Sequence, residues 1–179
     1  VTSVDSASPL RRAWLGGKDN YWTPDGEHYR AIRVPEAGKS FRAKRIVSEG
    51  RADSDFVQKA ERRLMQLLRS YDQGKESVEN VLGALAEYDH LITPDRPSEL
   101  SEYRRTLEAR PWKKCSCEIC KEDGVEVVIF RGNNRNRRRG FHNVYVFYRM
   151  MQAILNGTMQ PPSRARGAHA YHPELSLSA

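Results

Sequence analysis

The feature that most restricts what this chain can fold into is the placement of its cysteines. All three, Cys115, Cys117 and Cys120, fall within six residues, in the string CSCEIC. A disulfide framework uses an even count spread along the chain, so this spacing predicts a reduced, intracellular protein with a thiolate cluster. Cys-x-Cys-x-x-Cys puts three soft ligands on one tight turn, where their sulfurs can converge on three corners of a tetrahedron at about 2.3 Å from Zn2+. A fourth ligand is then required. The downstream candidates are His142, His169 and His172. Only His142 stands at the start of an expected helix behind an apolar strand, from which its ring can be carried back over the cysteines. A capping or core histidine is the alternative for His142, and a buried or redox dithiol the alternative for Cys117 and Cys120. Four protein ligands leave no open position, so the expected cofactor is a structural Zn2+ that clamps the chain.

With 179 residues, the chain has room for one hydrophobic core and a small satellite, or it is a fragment of a larger domain. Its longest apolar runs fall well short of the ~18 residues a membrane span takes. The first residues carry no basic stretch followed by an apolar core, as a secretory signal would, and the expected location is cytoplasmic. The alternation of Val1, Ser3 and Val4 running into Asp5 reads as the end of a strand already in progress, so a truncated chain is expected.

Thirty Lys and Arg against twenty-three Asp and Glu give a net charge of +7, which favours a polyanionic partner. Placement matters more than size. The run RGNNRNRRR holds Arg131, Arg135, Arg137, Arg138 and Arg139 with no acid, and is expected to be a loop that contacts phosphates. A merely solvated loop is one alternative; pairing with Glu118, Glu122 and Asp123 is the other.

Patterning divides the chain into four stretches. Residues 1–50 read as a strand end, a loop rich in Gly and aromatics around Tyr21 and Trp22, and strands over Tyr29–Val34 and Phe41–Val47. Residues 51–110 read as a helical insert. Its first helix is capped by Asp53 or Ser54 and stopped at Gly74, the second runs through Val78, Leu82, Leu85 and Tyr88, and the third starts near Ser98. Residues 111–157 hold the cysteines, a strand over Val125–Phe130 buried on both faces, the arginine loop, and a helix from Phe141 with Val144, Tyr148, Met151 and Leu155 on one side. Residues 158–179 lack periodicity and are expected to be disordered.

Two stretches resemble the C-terminal part of the tRNA-guanine transglycosylase superfamily, and most closely its DNA-modifying branch, the DNA 7-deazaguanine transglycosylases. VDSASPLRRA matches, at Asp5, Pro9 and Arg11, the family's Phe-Asp-x-x-x-Pro-x-Arg element at the end of a late barrel strand. CSCEIC followed by FHNVYVFYRMM matches its Cys-x-Cys-x-x-Cys and the helix that begins Ile-His-Asn. IFRGNNRNRRRGFHN is similar to the DNA branch in particular. The match spans roughly the first 35 and the last 45 structured residues. Val4 replaces the family's Phe, Ser6 stands where the tRNA enzymes carry Cys, and about a hundred residues separate Asp5 from Cys115, all of which favours the DNA branch.

The resemblance implies an α/β fold, the C-terminal part of a TIM (β/α)8 barrel with a helical insert and a zinc-binding subdomain. Asp5 is then the catalytic nucleophile, on the barrel rim where such folds keep catalytic residues. Arg11 holds a phosphate or supports Asp5, with plain solvation as its alternative. The implied activity is exchange of guanine in DNA for a 7-deazaguanine such as preQ0 through a covalent Asp-nucleoside intermediate. The missing N-terminal barrel portion, fused or separate, is an implied partner, without which the chain is expected to be inactive. The competing readings are an enzyme acting on tRNA, a non-catalytic zinc-stapled nucleic-acid-binding module, and a purely structural domain of an oligomer.

Overall fold

A computed structural model describes residues 7–94 and 97–160. Helices dominate. The longest of the first half, α3 (Ser54–Asp72), starts because the Asp53 carboxylate accepts hydrogen bonds from the Asp55 and Phe56 amides, which no helical carbonyl serves. Its buried positions Val57, Leu64, Met65, Leu68 and Tyr71 follow the expected helical spacing. Next, α4 (Val78–Ile92) is capped by Ser77 and packs on α3, and α5 (Leu100–Ala109) packs on α4.

The inner faces of these helices share one core with Tyr21, Ile32, Val34, Trp112, Val127, Ile129 and the three cysteines. Arg110 makes the sharp turn into α6 (Pro111–Lys114) with φ +44°. That left-handed conformation is held by its guanidinium, which lies 4.1 Å over the Tyr71 ring and donates to the Tyr71 hydroxyl.

Three expected elements differ. Phe41–Val47 lies within helix α2 (Phe41–Ser48): Ser40 caps it, and Ala43 and Ile46, three apart, form the buried pair while Phe41 faces solvent. The continuous apolar run after the cysteines is mostly a 3-10 turn, Gly124–Val128, with only Ile129–Phe130 (β4) extended. Its apolarity reflects burial on all sides, not a long strand. The arginine run is no loop. It forms the first turns of α8 (Gly132–Leu155), where Asn136, Arg139 and Gly140 face inward, so polar residues occupy the positions at which an apolar periodicity would have announced a helix.

The strands are short. Tyr21–Trp22 (β1) pairs antiparallel with His28–Tyr29 (β2). Ile32–Arg33 (β3) pairs parallel with β4, Ile32 opposite Ile129. The expected strand over Tyr29–Val34 is therefore shared between two ladders and interrupted at Ala31, whose amide donates to the Asn20 side chain. The α/β expectation is met in its coarse form, a mixed fold with small sheets; neither ladder among the described residues is a barrel. The expected tail lies outside the described residues from position 161 onward.

The entry of the chain is fixed by α1 (Ser8–Arg12), which crosses α8 at Gly140. A β-carbon at Gly140 would lie 2.6 Å from a Leu10 methyl, so the close crossing needs glycine there.

Candidate metal centre

Cys115, Cys117, Cys120 and His142 converge, all four buried, with their ligand atoms within 4.8 Å of one another. Sequence separation of 22 to 27 residues is closed by two elements. Short α7 (Glu118–Asp123) is capped by the Cys117 sulfur, which accepts from the Cys120 amide, and this tightens the knuckle. The third turn of α8 brings His142 back over it.

Nδ1 of His142 lies 3.3 Å from the sulfurs of Cys117 and Cys120 and 3.7 Å from that of Cys115. Nε2 lies 2.8 Å from the Trp22 carbonyl oxygen, to which it donates. That bond fixes the tautomer in which Nδ1 offers its lone pair toward the thiols. Trp22 is held in turn by Asn143, whose side chain accepts from the Trp22 amide and donates to the carbonyls of Pro9 and Asn20.

Tyr21 completes the enclosure. Its ring stacks on the imidazole with centroids 4.1 Å apart, and its hydroxyl lies 3.2 Å from the Cys120 sulfur. Burial, reinforced by Cys120, pushes the Tyr21 pKa far up, so the hydroxyl keeps its proton and can donate to the sulfur when Cys120 is a thiolate. The thiols compete among themselves. Hydrogen bonds from Cys117 and Cys120 hold Cys115 below the usual thiol range, while the contacts with Cys115 and Cys117 push Cys120 up. A divalent cation among them favours all three thiolates at once. The donor set, three sulfurs and one imidazole nitrogen with no fifth ligand among the described residues, can hold a metal in a closed tetrahedral site.

The knuckle is tied to the helices by Asp72 at the end of α3. Its carboxylate accepts from Trp112 Nε1 at 2.7 Å, Lys113 Nζ at 2.9 Å and the Val125 amide at 3.2 Å. Burial alone would raise its pKa; these donors outweigh burial and hold the carboxyl below its usual range.

The arginines part company. Arg139 is fully buried, donating to the carbonyls of Ala13, Val127 and Ile129 and to the Asn136 side chain. It binds the interior together and is out of reach of a phosphate, which corrects its expected role. Arg131 pairs with Glu61 and Glu36, Arg135 with Glu126, and Arg138 with Glu122 and Asp123. Pairing with the neighbouring acids is therefore realised for Arg138, whereas Glu118 pairs with Lys121. Arg137 is exposed and takes part in no ion pair among the described residues. Arg11 is exposed on α1, and Asp5 lies outside the described residues, as do His169 and His172.

Sequence reasoning assigned Tyr21 and Trp22 to packing alone and gave no role to Asp72. The one available signal for a wider metal environment was Asn143, directly after His142 in FHN. The helical domain organised on a Cys3His centre is thus one whose metal ligands are held from outside by an aromatic, a carbonyl and an amide.

No family model matches the chain. It is 42% identical over 158 residues to a DNA-guanine transglycosylase from Salmonella montevideo, an alignment that takes in 87% of this chain and 38% of the relative. The chain thus spans well under half the length of that relative. The resemblance carried by the two sequence anchors is borne out, and the chain is a relative of the DNA-guanine transglycosylases. No described helix is long and apolar enough to cross a membrane.

Proposed function

We propose that this chain is the metal-clamped C-terminal part of an enzyme that exchanges guanine in DNA for a 7-deazaguanine such as preQ0. The observation that carries this reading is the 42% identity to a DNA-guanine transglycosylase over nearly the whole chain. Asp5 is the nucleophile: its carboxylate attacks C1′ of the target nucleoside, the glycosidic bond breaks, and guanine departs. The incoming 7-deazaguanine then attacks C1′ and displaces the carboxylate. The remaining barrel portion supplies the base pocket and makes the fragment competent.

Zn2+ is the metal that suits three thiolates and an imidazole, and with all four positions filled by protein it clamps the chain and activates no water. DNA contacts fall to Arg11 and Arg137, which are exposed. A cleft of about 530 Å3 between the start of α2 and the start of α8 adds Arg33, while the Lys39, Arg131 and Arg135 that also line it are already paired with Glu36, Glu61 and Glu126. Phosphates bound there position the strand without reading its sequence.

The test is incorporation of a labelled 7-deazaguanine into duplex DNA by this chain supplied with the missing portion. Asp5→Asn keeps the size of the side chain and removes its charge, so incorporation is expected to vanish while metal content holds. Incorporation at the parent rate would remove Asp5 from the mechanism, and incorporation into tRNA but not DNA would overturn the substrate.

A further inference from the structure

Helix α2 is held to the protein by one side. Ser40 caps it by accepting from the Ala43 amide, and Ala43 and Ile46 are buried where α2 packs on α4. Phe41, Arg42, Lys44 and Arg45 all face solvent. Charge is concentrated here: from Lys39 to Arg51 five cations stand against one acid, Glu49, which gives this stretch +4 of the whole-chain +7. Glu49 is shared between Arg45 and Arg51, whereas Arg42 and Lys44 take part in no ion pair among the described residues. Arg42, Arg45 and Arg51 line a cleft of about 380 Å3 against the end of α4, with no acid among the described residues of its wall. The cleft that holds Arg33 opens at the other end of the helix, at Ser40, so α2 stands between two clefts lined by arginines. An aromatic interrupts this charge. Phe41 is 78% exposed, more than any other large apolar side chain described, and Lys44 and Arg45, three and four residues on, share its face of the helix.

We infer that α2 is a DNA-contact element in which Arg42 and Lys44 meet backbone phosphates and Phe41 stacks on a base that has left the duplex. Cations without an internal partner are free to exchange their counterions for phosphates. A single exposed apolar residue is ordinary; an exposed aromatic among cations on one helix face matches a nucleotide, which brings a flat π-surface and a phosphate together. A protein partner would have to supply an apolar pocket and a set of acids in the same small area. Paired bases hide their faces in the stack, so Phe41 can reach only a base that is unpaired or unstacked, and exchange of a guanine requires such a base. Apolar side chains inserted at a base step are a known means of opening the stack. The choice of DNA as the polymer rests on the proposed function; the contact itself rests on charge and exposure.

The test reads binding and needs no base exchange. The metal-loaded chain is titrated against a fully paired DNA duplex, the same duplex with one mismatched guanine, and tRNA. Arg42→Gln combined with Lys44→Gln should lower the slope of log K against log salt on the paired duplex by about 1.8. Lys59→Gln combined with Arg62→Gln removes as much charge from exposed, unpaired positions on α3 and should leave the slope unchanged. Phe41→Ala should keep the slope and weaken binding to the mismatched duplex about tenfold, with the paired duplex little affected. Metal content and thermal midpoint should match the parent throughout, since every substituted side chain is exposed. An unchanged slope in the α2 pair, an equal fall in the α3 pair, indifference of Phe41→Ala to the mismatch, or no DNA binding by the parent would each overturn the inference. Tighter binding to tRNA than to either duplex would overturn the choice of DNA here and in the proposed function alike. Binding as expected with no base exchange in the completed enzyme would count against the proposed activity and leave this surface standing.

Discussion

The Trp22 carbonyl oxygen stands 2.8 Å from Nε2 of His142, while the three thiols gather at Nδ1 on the other side of the ring. A residue of β1, 120 positions earlier, thereby decides which nitrogen of the histidine faces the thiols. The centre joins α1, β1, α7 and α8, so a metal bound there holds together segments from both ends of the described chain.

Protein purified without added metal is accordingly expected to carry close to one Zn2+ per chain. Cys117→Ser should reduce that to near zero and unfold the region around α7, because structural zinc sites contribute about 10 kcal/mol or more of folding free energy. Metal analysis with circular dichroism decides it; a mutant that keeps metal and helicity would refute the ligand assignment.

Tyr21→Phe retains the ring stacked on His142 and deletes only the hydroxyl that donates to Cys120. Loss of such an outer hydrogen bond typically weakens metal binding about tenfold or more. Competition with a chromophoric chelator should show that drop with the thermal midpoint of the metal-loaded protein little changed, and equal affinity would show the hydroxyl to be idle.

Gly124 adopts φ +54°, and a β-carbon there would collide with Oδ2 of Asp72. Gly124→Ala should cost about 3 kcal/mol, strain and collision together. Gly50→Ala, at φ +68° with open space around it, should cost only about 1 kcal/mol. Urea denaturation of the two variants measures the difference.

Asp72 also gives stability a pH dependence with a definite sign. Its folded pKa lies below the unfolded one, so the unfolded chain binds the extra proton first. The stabilisation is complete above the unfolded pKa of about 3.9 and is lost as pH falls through the lower folded value. Thermal midpoints from pH 6 to pH 3 should therefore fall more steeply for the parent than for Asp72→Asn, and parallel curves would contradict the role of the carboxylate.

Arg139 and Arg137 should separate stability from binding. Arg139→Met strands three carbonyls and an amide, and a broken buried network of this kind costs about 3 kcal/mol. Arg137→Gln should leave the unfolding midpoint alone and reduce the slope of log K against log salt for duplex DNA by about 0.9. An unchanged slope would remove Arg137 from the DNA contact.

The metal ligands were legible because their signal is local. Soft ligands at short spacing mean the same thing in any fold, and closing a tetrahedron calls for a fourth ligand; His142 was expected at the start of a helix and lies instead in the third turn of α8. The helices α3 and α4 were legible for a similar reason: their apolar residues recur at helical intervals, and Asp53, one of the two caps expected for the first, is the one that caps it. The arginine run was misread as a loop because its inward positions are Asn136, Arg139 and Gly140, which only carbonyls and a Leu10 contact from distant segments make compatible with burial. Phe41–Val47 was misread because Ser40 and the Ala43–Ile46 pair outweigh a weak alternation. Residue types and spacing alone determined that three thiols and an imidazole able to hold a metal would gather; tertiary structure decided which arginines remain on the surface, which nitrogen of His142 turns inward, and which face of α8 is left apolar in water. Those outcomes depend on partners far away in sequence, whose distances are settled only when the core closes.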